Sequence, residues 1–147
     1  MILDAQNLFS DQQAVTVTAN STNVIDLGVT ETPYGNTEAL KRDIGKGNKI
    51  PLLVQVTQAF ATLTSLTVDL VTSDSATLAS GNVVHATTGA VAAANLKAGW
   101  QWGNDAVPFA NSAGMKRYLG LVYTVTGTTA TAGKITAGIT MGNQTNG

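Results

Sequence analysis

An all-β domain, in the form of a jelly-roll β-sandwich of about eight antiparallel strands with an N-terminal arm, is what this sequence predicts. Three observations carry the prediction. Apolar and polar residues alternate with period two through most of the chain, no stretch shows a helical stripe over three turns, and Gly, Asn, Ser and Asp punctuate the alternating runs. The length of 147 residues suits a single domain.

Residues 15–19 alternate as Val-Thr-Val-Thr-Ala. In 24–29, Ile25, Leu27 and Val29 share a face while Asp26 points the other way. Residues 50–57 put Leu52, Val54 and Val56 on one face, and 64–72 do the same with Leu66, Val68 and Leu70. The strongest run is 117–126, with Leu119, Leu121, Tyr123 and Val125 in phase. The last is 134–141, with Ile135, Ala137, Ile139 and Met141. Shorter strands are expected at 83–86 and around Trp100-Gln101-Trp102. Ala90–Ala98 alone has a composition that favours a helical turn, against the pull of its β-branched neighbours.

Two stretches break the pattern. Residues 1–14 hold Leu3, Leu8 and Phe9 among polar neighbours, which predicts an arm ahead of a sandwich domain over 15–142. Residues 30–49 lack periodicity and contain Pro33-Tyr34-Gly35 and the basic group Lys41, Arg42, Lys46 and Lys49. Unpatterned loops of that length are usually functional. Residues 143–147 are expected to form a flexible polar tail.

Composition narrows the function classes. Charged residues make up 12% of the chain, about half the usual share, and the net charge is −1. Thr, Ala and Gly fill the space instead, giving a surface suited to close contact with other protein. There is no cysteine, so disulfides and thiolate metal sites are impossible. The charge balance predicts no nucleic-acid partner, and the lack of a long apolar run predicts no membrane helix. The opening Met1-Ile2-Leu3-Asp4 lacks a secretory pattern, predicting a chain used as translated in a cytoplasm.

Candidate chemistry is thin. His85 is the one histidine, and no Ser lies in a nucleophile-elbow context. The nine carboxylates are scattered and lack calcium-loop spacing. Gly45-Lys46-Gly47-Asn48-Lys49 lacks the spacing of a phosphate loop and reads better as a solvated turn. We therefore expect no catalytic residue, no cofactor and no metal, hence no enzyme. Trp100 and Trp102, two apart on one strand face, are the best argument for an alternative: a carbohydrate-binding β-sandwich module. That alternative requires both rings to be exposed; core or interface packing is the simpler reading.

Laid out in order, the segments resemble those of small capsid cement (decoration) proteins of short-tailed bacteriophages, of the Bordetella podophage type. The matching stretches include 1–4, 8–11, 13–16 and 21–28, then Arg42-Asp43-Ile44-Gly45, 52–57 with Ala59-Phe60, and 65–68. Leu96-Lys97-Ala98-Gly99, 117–126 and 131–139 complete the series. Residues 30–40 are longer than the corresponding connection, and 100–108 are richer in Trp. The resemblance implies a jelly-roll homotrimer in the virion. It would sit on the exterior of an icosahedral capsid, at threefold and quasi-threefold positions, bound to a separate major capsid protein. Ile2, Leu3, Leu8 and Phe9 of the arm, with Tyr34, Lys41, Arg42 and Lys46 of the loop, are the candidate contact residues.

Overall fold

In a computed structural model, which describes residues 3–40, 49–108 and 114–143, the chain forms one antiparallel sheet curled around a core. Its strands are β1 (Leu3–Ala14), β2 (Ala19–Asn20), β3 (Ile25–Asp26), β4 (Leu52–Ser73), β5 (Val83–Thr87), β6 (Val91–Ala92) and β7 (Tyr118–Thr140). Among the described residues the only helical element is a 3-10 turn at Ala93–Asn95, inside the Ala-rich stretch.

Two long strands dominate. β4 and β7 pair antiparallel from Leu52↔Ile139 to Ser73↔Tyr118. The alternating runs at 50–57 and 64–72 are thus two halves of one strand, as are 117–126 and 134–141. On its far side β7 carries β1 against its C-terminal half and β2 and β3 against its N-terminal half. β4 carries β5 and β6 at its C-terminal half. Along its N-terminal half runs the irregular segment 96–107, joined to β4 by backbone bonds such as Trp102 N–H to Val54 O at 3.0 Å and Gly99 N–H to Val56 O at 2.8 Å.

Covalent reach shows why the sheet must fold back on itself. Pro51 bridges Ala106, and the Thr72 hydroxyl accepts the Lys116 amide at 3.1 Å. Pro51 to Thr72 in a straight strand would span ~70 Å. The chain from Ala106 to Lys116 can reach no more than ~36 Å. The bend falls where the β4–β7 register slips, between Val56 and Ser65. Thr62 there has φ 73°, and its hydroxyl lies 2.8 Å from Thr129 O and accepts the Thr131 amide at 3.0 Å. Gly133, at φ 143°, lies against the Phe60 ring, where a Cβ would collide. Curling brings Leu52, Val54 and Val56 together with Leu66, Val68, Leu70, Leu119 and Leu121 in one buried cluster.

The stretch expected as an N-terminal arm is instead β1, an edge strand of the sheet. Its pairing with β7 is interrupted by bulges between Leu3 and Leu8, Leu8 and Ser10, and Ser10 and Gln13. Bulges shift the inward-facing phase, so a real strand loses its period-two signature. Of residues 15–19, which alternate well, only Ala19 falls in a strand, as the first residue of β2.

Candidate interaction surface

Arg117 grips Asp26 with two bonds, Nε to Oδ1 at 2.9 Å and Nη2 to Oδ2 at 2.8 Å, and its guanidinium lies 5.0 Å from the Tyr118 ring centre. That grip ends β3. Gly28, at φ 83°, donates its amide to Asp26 Oδ1 at 2.8 Å and turns the chain out of the sheet. From Val29 to Leu40 every residue is exposed. Pro, Gly, Asn and Thr in this run offer no alternating face to bury.

The excursion is nevertheless pinned. Leu40 N–H bonds Glu31 O at 3.0 Å and closes the loop. At its tip Asn36 N–H bonds Pro33 O at 3.0 Å, with Gly35 at φ 80° in the third position of the turn. That geometry holds Tyr34 at the second position, with 108% relative exposure. Val29 and Leu40 are exposed as well. Lys41, Arg42 and Lys46 lie outside the described residues; Lys49, where the description resumes, pairs with Asp105 at 2.7 Å.

The N-terminal candidates separate into distinct situations. Ile2 lies outside the described residues. Leu3 is partly exposed opposite Thr140, beside the exposed Met141. Leu8 is half-buried and lines a cleft of about 290 Å³ with Ala5, Asp11, Thr22 and Asn23. Phe9 is fully buried in its own core, which removes it from the surface set. The neighbouring Ser10 explains how β1 is held so deeply. The Tyr123 hydroxyl lies 2.7 Å from Ser10 Oγ, which donates to Gln13 Oε1 at 2.6 Å; Gln13 Nε2 donates to Asn20 O at 2.8 Å. Burial pushes the Tyr123 phenol upward and keeps it a neutral donor.

Among the described residues, chemistry-bearing groups do not converge elsewhere. No three of His, Asp or Glu gather to hold a metal ion among the described residues. His85 Nε2 lies 2.7 Å from the Thr72 hydroxyl, on β4. Trp100 and Trp102 are half-buried and pack against the core, so they do not present the exposed platform that sugar binding requires. No helix among the described residues is long and apolar enough to cross a membrane. On the outer side of the sheet's bend Val17 is exposed beside Thr18, in one of three separate segments that carry no charge.

The sequence model of the family described as Bbp16 matches residues 9–139, all but the two ends of the chain. No curated protein matches it.

Proposed function

This chain belongs to the Bbp16 family, a Bordetella phage protein family, and from that premise we propose that it is a structural decoration protein of a phage capsid. Reading the curled sheet as a jelly roll, the protomer associates as a homotrimer on the exterior of the icosahedral shell. It occupies threefold and quasi-threefold positions and clamps neighbouring copies of the major capsid protein. It acts by contact and carries out no reaction.

The pinned excursion Val29–Leu40 is the observation that supports this reading best. A twelve-residue run with no buried side chain contributes nothing to its own core, yet a turn and a closing hydrogen bond hold it in one shape. Pre-ordering lowers the entropy lost on binding, and an exposed aromatic at a rigid tip makes an effective anchor. Three such tips on one trimer would engage the shell multivalently, so modest single contacts would add up to slow release.

Co-sedimentation with empty shells tests the proposal. The full chain is expected to pellet with shells and to saturate in multiples of three. Tyr34→Ser is expected to bind roughly tenfold more weakly or worse, the loss typical of a truncated anchor. Failure of the unaltered chain to bind shells overturns the function, and undiminished binding by Tyr34→Ser overturns the role of the loop.

A further inference from the structure

Three segments that are far apart in sequence carry no charged residue: 12–25, 50–68 and 118–133. The curl of the sheet brings parts of all three to one place, its bend. There Ala130 N–H bonds Thr16 O at 2.9 Å, Thr18 Oγ1 accepts the Val125 amide at 3.0 Å, and Ala61 pairs with Ala132. The outer surface of the bend presents Val17, 54% exposed, with exposed Thr18, Thr57, Thr62, Thr128 and Thr129. Lys97 and the half-buried Lys134 mark its border.

We propose that this charge-free bend is the surface through which copies of the chain meet about their symmetry axis, an inference that rests on the homotrimeric reading above. Symmetry supplies the argument for a second copy as the occupant. Close to a rotation axis each residue faces its own image, so a charge there meets a like charge in every neighbour. At a surface for a different partner the constraint is weaker, because opposite signs can be matched across it. Two of the polar groups are also ready to be covered. Thr62 and Thr18 already engage backbone groups within the chain, so covering these side chains strands neither hydroxyl. Thr62, held at positive φ by those bonds, fixes the shape of the surface before contact.

Sedimentation velocity of the full chain at micromolar concentration tests the inference, with circular dichroism reporting the fold. Val17→Glu and Thr128→Glu place a carboxylate on the bend, and Ala79→Glu places one on an exposed loop beyond β4 as the control. Assembly of the unaltered chain and of Ala79→Glu is expected. Folded Val17→Glu and Thr128→Glu should sediment as monomers, their association weakened roughly tenfold or more. Bend variants that stay assembled overturn this inference and leave the homotrimeric reading standing, with the bend then free for another protein. An unaltered chain that sediments as a monomer overturns that reading, and this inference with it. If both bend variants unfold, Val17→Ser and Thr128→Ala replace them. Assembly weakened by these milder changes supports the inference, and assembly unchanged by them overturns it.

Discussion

His85 sits where β5 closes on β4, its Nε2 2.7 Å from the Thr72 hydroxyl and its Nδ1 enclosed without a partner. A protonated imidazole has two N–H groups to place, and Nδ1 has no acceptor; Thr72 Oγ1 already receives the Lys116 amide. Burial accordingly lowers the His85 pKa below its ordinary 6.5. The folded state prefers the neutral ring, so its contribution to stability is complete above pH 6.5 and is lost as pH falls through the folded pKa. The denaturation midpoint should therefore drop between about pH 7.5 and about pH 5.5, and His85→Gln should flatten that drop. An equal drop in the variant would assign the effect to another group. Asp105, held below the usual carboxylate range first by its hydrogen bond from Lys49, titrates at lower pH and leaves this window clear. The sequence shows that one imidazole lies in an apolar run; its enclosure comes from two strands closing together.

At the scale of elements, β1 is held to the sheet by a glycine. A Cβ at Gly138 would sit 2.8 Å from Asn7 O and 3.0 Å from Leu8 Cα, both backbone atoms of β1. Ala in place of Gly normally gains about 0.5–1 kcal/mol in an extended strand. Pushing β1 outward costs more, about 1–3 kcal/mol as for other overpacked sites. Gly138→Ala should thus lower the urea midpoint and speed amide exchange in β1 more than in β4; a neutral or stabilising result would show that β1 has room to shift. The strand class of 52–73 and 118–140 is legible because alternation persists through most of both. β1 is not legible, because its pairing slips at three places and a bulge scrambles alternation. The continuity of β4 and β7 across the bend is hidden for the same reason.

At the scale of the whole molecule, folding must join residues distant in the chain. Leu52 pairs with Ile139, eighty-seven residues away, at one end of the long ladder, and β1 closes on the last strand. Such topologies collapse slowly, since loop closure precedes any return from the contacts. Stopped-flow refolding is expected in the millisecond-to-second range; completion within microseconds would mean that local structure, not the β4–β7 ladder, sets the rate. The loop of the candidate surface was legible as an unpatterned stretch with Tyr34 at a Pro-Tyr-Gly turn. The charge-free bend was legible only as three unrelated absences.

By itself the sequence determined the all-β class, the inward face of the runs at 50–57, 64–72 and 117–126 and the poverty of reactive groups, because those follow from side-chain period and residue type. In the run 134–141 both phases carry buried residues up to Thr140, and Met141 is exposed. Only the tertiary structure decided that four predicted runs are two bent strands, that Phe9 belongs to the core, and that three uncharged segments share one surface. Those facts depend on where the ladder slips and how far the chain can reach, and neither is written in any local stretch of residues.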